Sequence, residues 1–363
     1  MKKLDEACSD AYNEAKGGVD MKRQPGIDLI RCVGLLFVVS VHHFLYNGFY
    51  SRPQAGFLMW TADTWRWLFF CCNGIFMMLT GYLKSTKPFN KAYYKGLVPV
   101  LIGYLLCCFL IFPLQSQLIT EKLSFQDWME KLVGFGNYAW YVEMYIGLIL
   151  FSPVLNLAIS NISEEKHLIG LAVMTVCLTA LPSATVLTFA PDFWTGFYPV
   201  TYYVLGAVIR RLQPKVKWWQ GLGFALLVSM GLAGVSILTT DKGFSSGFTQ
   251  GYGGFWTTLV TLGVFLGLYR INPGEKLSKA LKWASGGVYE GFMLTLIPDL
   301  WLYPMVKQWH KPEKWILMYV CVTIPIFFFG ILAGKLVHTA SEKISKWIFR
   351  LADHRRSRDT IQS

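Results

Sequence analysis

Charged residues are scarce in this chain: Asp, Glu, Lys and Arg make up only 15% of its 363 residues. Soluble domains average about 25% charged residues. The apolar residues form long runs rather than short amphipathic stripes, and roughly 20 mostly apolar residues are needed to cross the hydrocarbon core of a bilayer. The composition therefore excludes a large soluble domain and predicts that the chain is embedded in lipid.

Cysteine at metal-ligand spacing is also absent. None of the eight cysteines stands at such a spacing with histidine, and none pairs with another within a loop. We interpret them as small apolar packing residues, because all except Cys8 fall inside apolar runs. The sequence thus predicts no metal site.

The first 24 residues lack the apolar core and the small-residue cleavage site of a signal peptide, and we expect a polar tail there.

The net charge of +12 would suggest nucleic acid as the partner of a soluble protein. Here the basic residues are scattered between apolar runs, as in the cytoplasmic loops of membrane proteins. We therefore predict no nucleic-acid partner.

Apolar runs of membrane-spanning length dominate what is present. Ten runs predict ten transmembrane helices, at about 27–48, 65–84, 97–118, 139–160, 168–190, 194–212, 219–240, 252–271, 283–305 and 315–338. The predicted fold is all-α and polytopic. One membrane domain at 25–340 would lie between the N-terminal tail, 1–24, and a basic amphipathic C-terminal tail, 341–363.

The distribution of Lys and Arg predicts the orientation. With the N-terminus in the cytoplasm, 25 of the 34 Lys and Arg residues fall on the cytoplasmic side and eight on the outer side, while Arg31 lies inside a run. Excess positive charge marks cytoplasmic loops, so both termini are predicted to be cytoplasmic.

Three connecting or terminal segments carry predictions of their own. Loops 119–137 and 241–252 are the two sizeable outer loops, and either one is a substrate contact or a plain connector. In the C-terminal tail, an apolar face between basic residues predicts a short helix on the inner leaflet. That face consists of Ile344, Trp347, Ile348 and Leu351.

Ionisable residues inside the first run are the strongest functional candidates, because charge within a span is costly. They are Asp28, Arg31, His42 and His43. Arg31 and His42 are 11 residues apart, which places them on one helix face about 16 Å apart along the axis. Asp28, one turn before Arg31, can pair with it.

This spacing suits a reaction that joins the two sides of the membrane. An arginine at the cytoplasmic mouth can hold a phosphate of an acyl-CoA, and a neutral, partly buried histidine can take the proton of an attacking hydroxyl. Two structural alternatives stay open: Arg31 as an anchor that reaches lipid phosphate, and His42 as a core histidine bonded to a carbonyl.

Four stretches of the sequence, taken in order, form a pattern that can be compared with known families. Asp28-x-x-Arg31 is followed by ten residues and His42, and the second run contains Asn73-Gly-Ile-Phe-Met-Met-Leu-Thr80-Gly81-Tyr82-Leu83. Further on come Trp140-Tyr141-x-x-x-Tyr145 and Ser152-Pro153-x-Leu155-Asn156. Together these four stretches resemble the acyltransferase-3 family of membrane acyltransferases, and the resemblance covers nearly the whole chain.

The resemblance implies transfer of an acyl group, often acetyl from acetyl-CoA, to a hydroxyl of a cell-surface polysaccharide or lipid-linked glycan at the cytoplasmic (inner) membrane. It implies that His42 is the catalytic base and that Arg31 contacts the donor. Acyl-CoA would be a co-substrate, with no permanently bound cofactor.

Two positions depart from the family pattern. Many members have Arg-x-x-Arg after the second span, where this chain has Lys91 and Lys95 on one helix face. These lysines keep the positive charge without the bidentate fork of arginine, and we expect them to bind the donor. A histidine late in the ninth span of many members corresponds to Thr295 here.

Further candidates support the reaction or bind the acceptor: Asn73, Trp140, Tyr141, Glu143 and Glu290. Either acid could orient His42 or bind acceptor hydroxyls, and a structural ion pair or a protonated buried acid is an equal alternative.

Two other function classes fit the same composition. A transporter or flippase of a glycolipid or small solute would use the intramembrane charges as a relay, although we find no internal repeat of the kind that builds many transporters. An inactive accessory protein of the same fold is the other, and the missing Arg-x-x-Arg supports it.

Overall fold

The computed structural model describes residues 23–90, 93–118, 124–133, 140–183, 190–239 and 251–362. Within these ranges the regular elements are helices, and no strand is present. The prediction of an all-α fold is confirmed.

The α-helices are numbered here in chain order along the described residues. The first group comprises α1 (Pro25–Tyr46), α2 (Gly56–Phe69), α3 (Cys72–Lys84), α4 (Leu97–Leu118), α5 (Phe125–Val133), α6 (Trp140–Asn161) and α7 (Glu165–Thr179). The second comprises α8 (Tyr198–Leu212), α9 (Trp218–Thr239), α10 (Phe255–Leu268), α11 (Glu275–Ala284), α12 (Val288–Leu294), α13 (Leu296–Met305), α14 (Trp315–Met318) and α15 (Ile324–Gln362).

Seven helical stretches of the described residues are long and apolar enough to cross a membrane. They are Pro25–Tyr46, Gly56–Lys84, Tyr94–Leu114, Trp140–Asn161, Glu165–Ser183, Trp218–Thr239 and Pro312–Ala352. The other three predicted runs correspond to shorter helices, namely α8, α10 and the consecutive pair α12 and α13. The chain is thus a polytopic membrane protein, while ten spans and cytoplasmic termini stay predictions.

Helix α1 lies at the centre of the bundle, where it contacts α2, α3, α10, α11, α12, α13 and α15. Proline at its first position suits a helix start, because the missing N–H has no partner there in any helix. The 22 residues of α1 run without a break and rise about 33 Å, enough to cross the hydrocarbon core. The helix that carries Asp28, Arg31 and His42 is therefore enclosed by other helices.

Paired glycines bring α12 and α15 into close contact. Gly287 and Gly291 face Gly330 and Gly334, and a methyl group on Gly291 would overlap the Gly330 carbonyl. Small residues four apart allow helix backbones to approach closely in membranes. This approach places Glu290 next to the first half of α15, where His338 lies.

Glycines also set the contact between α3 and α8. A Cβ atom on Gly81 would overlap the carbonyl oxygen of Tyr203, and one on Gly206 would overlap that of Met78. Neither obstacle is a flexible side-chain end, so the backbones would have to separate.

Gly81→Ala is therefore expected to destabilise the fold by about 1–3 kcal/mol, the usual range for overpacking. Thermal unfolding of the purified protein in detergent measures it. Gly223→Ala on α9 is the matched control, because a Cβ there meets no atom within 4 Å. An unfolding temperature for Gly81→Ala equal to that of the control would contradict the close approach.

The C-terminal tail differs from the expected separate surface helix. Helix α15 continues from the last span through Ile344, Trp347, Ile348 and Leu351 to Gln362. No glycine or proline occurs between 338 and 351, so nothing in the sequence breaks the helix there. Ser341 and Ser345 face inward, whereas Trp347 is exposed.

Candidate functional site

His42 is held by a buried carboxylate near the C-terminal end of α1. Its Nδ1 atom lies 2.7 Å from Oδ2 of Asp299 on α13. The Asp299 side chain is fully buried, and that of His42 is 15% exposed. When Nδ1 carries the proton and donates it to this carboxylate, Nε2 bears the lone pair, which is the tautomer that a general base requires.

An inward-facing stripe of α1 leads from Arg31 to His42. Val38 lies seven residues after Arg31 and four before His42, so the three side chains lie within about 40° of one another around the helix. Both Arg31 and Val38 line a partly open cavity of about 320 Å³. The cavity therefore ends about 6 Å, one helical turn, before His42.

The cavity walls are mostly apolar, with polar groups at separated points. Its volume lies near the lower end of the range for small-molecule sites, roughly 300–1,000 Å³. The lining residues are Arg31, Val38, Asn73, Phe76, Leu79, Thr80, Leu83, Lys84, Pro99, Val100, Tyr141, Tyr145, Ser285, Gly286, Val288, Tyr289, Glu290, Phe292 and His338.

Arg31 is fixed at the far end of the cavity from His42. Its Nη1 atom lies 2.9 Å from Oδ1 of Asp28, as the sequence predicted for this pair. Asp28 is buried and is also bound by Arg23 and by the Ser285 hydroxyl, at 2.7 Å and 2.8 Å. The single Asp28 carboxylate is thus paired with two arginines, so positive charge is in excess at the Arg31 end of the cavity.

A second carboxylate–histidine pair borders the same cavity. The His338 Nδ1 atom lies 2.9 Å from Oε1 of Glu290, whose side chain is 3% exposed. The His338 Nε2 atom lies 3.5 Å from Glu342, one turn further along α15. The Glu290 side chain rests on Gly103 of α4, where a Cβ would lie 2.9 Å from Oε1.

The two predicted aromatic residues differ in their positions. Tyr141 lines the cavity and packs edge-on against Phe76 and Phe292. Trp140 is not among the lining residues, and its ring stacks on Tyr252 with centroids 5.2 Å apart. Tyr252 in turn stacks on Phe70 at 4.3 Å.

The structure brings Arg31, Asn73, Tyr141 and Glu290 to one cavity but leaves other predicted residues outside it. Glu143 is exposed, as is Lys95, whose ammonium lies 5.9 Å from the Phe349 ring. Lys91 lies outside the described residues, as do 119–123, 134–137 and 241–250 of the two sizeable outer loops. The described part of the first loop contains α5. Thr295 is buried and donates to the Phe292 carbonyl at 2.8 Å.

The idea that Glu143 or Glu290 orients His42 is wrong in this structure, because Asp299 holds the imidazole. Glu290 lies nine residues before Asp299, or about 13 Å along the helical rise, and it binds His338 instead. Glu143 is exposed on α6 rather than turned toward α1.

Three residues of the site escaped the sequence interpretation: Asp299, Lys84 and His338. Asp299 stands in the apolar stretch Leu296-Ile-Pro-Asp-Leu-Trp301, so the criterion that singled out Glu290 applies equally to it. Lys84 ends the second run and His338 ends the tenth, where a basic residue is ordinary at a membrane interface. Only the packing shows that these two line a cavity.

The fold and the enclosed His42–Asp299 pair define a polytopic membrane protein with a candidate catalytic centre in the helix bundle. Residues 24–334 match the family model described as an acyltransferase domain, and the chain belongs to this acyltransferase family. The family resemblance seen in the sequence is thereby confirmed. No curated protein and no solved structure matches the chain significantly.

Proposed function

We propose that this membrane acyltransferase moves an acyl group, preferentially acetyl, from acyl-CoA to a hydroxyl of a cell-surface or lipid-linked glycan. The observation that carries the proposal is the His42–Asp299 pair, 2.7 Å apart, one turn beyond a cavity that Arg31 lines. The fixed cation Arg31 would hold the phosphate end of acyl-CoA, and the base His42 would lie near its thioester end.

In the proposed reaction, the acceptor oxygen attacks the carbonyl carbon of the thioester while Nε2 of His42 takes the hydroxyl proton. The Asp299 carboxylate stabilises the imidazolium that forms. The tetrahedral intermediate then breaks its C–S bond, and the imidazolium returns the proton to the departing sulfur. An ester and free coenzyme A result, and His42 is neutral again.

The cavity supports an approach of the donor from the Arg31 end. Arg31 is the first charged residue on the stripe and is held in place by Asp28, so its remaining N–H groups are oriented before the donor binds. Tyr141, Phe76 and Phe292 offer an apolar wall for the arm that carries the thioester. An extended pantetheine arm can bridge the distance of about 16 Å to His42.

Acceptor binding is proposed at the opposite end of α1. Trp140, Tyr252 and Phe70 form a continuous stack. Because both faces of the Tyr252 ring are covered in this stack, the half-buried Trp140 ring at its end is the one proposed to contact a sugar. At the other end of the stack, Arg66 donates to the hydroxyl of Tyr50, which lies four residues beyond the end of α1. Buried Arg66 extends this stack, because its guanidinium carbon lies 4.1 Å from the centre of the Phe70 ring. A glycan hydroxyl would reach His42 from this side.

Radiolabelled acetyl-CoA tests the proposed substrates. Membranes that contain the protein are expected to transfer label to native glycolipid, and mild alkali should release it because the new bond is an ester. Membranes without the protein are the control. Uptake or flipping of glycolipid without any labelled ester would instead favour the transporter, and label that resists alkali would contradict O-acylation.

A further inference from the structure

Lys84, at the last position of α3, is a second cation on the wall of the cavity. It lines the cavity with Arg31, and its ammonium lies 5.4 Å from the centre of the Tyr93 ring. The residue is half-buried. Across the described ranges, no carboxylate lies within ion-pair distance of its Nζ atom.

The lining residues carry a positive charge that the protein does not balance. Among those described, Arg31 and Lys84 are cationic and Glu290 is the one carboxylate, which is bound to His338. Asp28 offers little compensation, because Arg23 and Arg31 share it. Uncompensated charge in a bundle of apolar helices is costly, and an anionic ligand would relieve that cost.

We propose that Lys84 and Arg31, with His338 on the wall of the same cavity, bind the diphosphate of the acyl-CoA donor. This inference rests on the proposed function and gives Lys84 the role that the sequence pattern gave to Lys91 and Lys95. Lys95 is exposed beside Phe349 and does not line the cavity, whereas Lys84 does. Arg31 supplies fixed, directional donors, and Lys84 supplies a mobile point charge.

A purely structural role for Lys84 makes a different prediction. A lysine in the last turn of a helix interacts favourably with the helix dipole, and near a membrane it can bind a lipid phosphate. In the first case Lys84 matters to folding and no soluble phosphate competes for it. In the second, an anionic lipid occupies the site in place of a nucleotide.

The test is equilibrium binding to the purified protein in detergent, with coenzyme A and pantetheine as probes. Lys84→Gln is expected to raise the Kd for coenzyme A about tenfold or more, the usual effect of losing a charged hydrogen bond. The Kd for pantetheine should not change, because pantetheine lacks the diphosphate. Lys84→Arg keeps the charge and should restore most of the affinity.

Lys279→Gln is the matched control, since Lys279 is an exposed lysine paired with Glu275 on α11. It should bind coenzyme A as the parent does. Three results would overturn the inference: coenzyme A affinity unchanged by Lys84→Gln, equal losses for coenzyme A and pantetheine, or a larger loss from Lys95→Gln.

Binding of inorganic pyrophosphate and of phosphatidylglycerol tests the anion site independently of the proposed donor. If the parent binds pyrophosphate through Lys84 but does not bind coenzyme A, the anion site is supported and acyl-CoA is contradicted as the donor. If phosphatidylglycerol binds through Lys84 and neither coenzyme A nor pyrophosphate does, the site belongs to lipid and the inference is overturned.

Discussion

Replacing His42 by alanine is expected to lower the rate of acyl transfer by about 10²- to 10⁴-fold, the usual contribution of a general base. The side chain is partly enclosed and lies one turn beyond the cavity, so the loss removes the proton acceptor without removing the donor site. Steady-state transfer from labelled acetyl-CoA, normalised to folded protein, measures the change.

The neighbouring histidine is the matched control for this variant. His43 is buried, and its Nδ1 atom lies 3.0 Å from the Thr323 hydroxyl rather than from a carboxylate. His43→Gln should lower thermal stability yet retain most of the transfer activity of the folded protein. Equal activity losses from His42→Ala and His43→Gln would show that the first is an effect on folding.

Neutralising Asp299 is expected to slow transfer nearly as much. Asp299→Asn keeps the shape but loses the charge that stabilises the imidazolium, and the amide can favour the wrong tautomer of His42. A corresponding change in another Asp–His pair reduces turnover about 10⁴-fold, so a loss on the order of 10²- to 10⁴-fold is expected. The loss should appear in kcat, with the KM for acyl-CoA little changed.

The double variant distinguishes a positioning role from a structural one. If Asp299 acts only through His42, then His42→Ala combined with Asp299→Asn should be no slower than His42→Ala alone, because residues that act as a unit are not additive. Independent, multiplying losses would contradict the pairing. A variant that binds coenzyme A poorly would instead place Asp299 in the general support of the fold.

Much of this site could be predicted because it lies on one helix. Arg31 and His42 share α1, so helical periodicity alone places them on one face, and the Asp28–Arg31 pair follows from a spacing of three. The uninterrupted helix from Pro25 to Tyr46 preserves that geometry.

The partner of His42 could not be predicted in this way. Asp299 lies 257 residues further along the chain, and its contact depends on how α13 packs against α1. Besides Asp28, the apolar runs contain Glu143, Glu290 and Asp299. Only the first two of these three were considered as partners of His42, and periodicity cannot choose among the three. The choice is made by packing, because α12 turns Glu290 toward His338 and α6 turns Glu143 outward.

The lysine proposed to contact the donor could not be predicted from the sequence either. Lys84, Lys91 and Lys95 all lie near the boundary between the second and third apolar runs. The family resemblance favoured the last two, because they fall where many members have Arg-x-x-Arg. Burial distinguishes Lys84 from Lys95: Lys84 ends α3 against the cavity, whereas Lys95 lies exposed in the turn before α4.

Single-turnover transfer with donor-saturated protein tests the central claim most directly, namely that His42 performs the chemistry on a donor bound through the cavity. Parent and His42→Ala would be loaded with labelled acetyl-CoA and mixed with glycolipid acceptor. The account predicts equal donor binding, rapid ester formation by the parent and almost none by His42→Ala. Ester formation at the same rate in both proteins would contradict it.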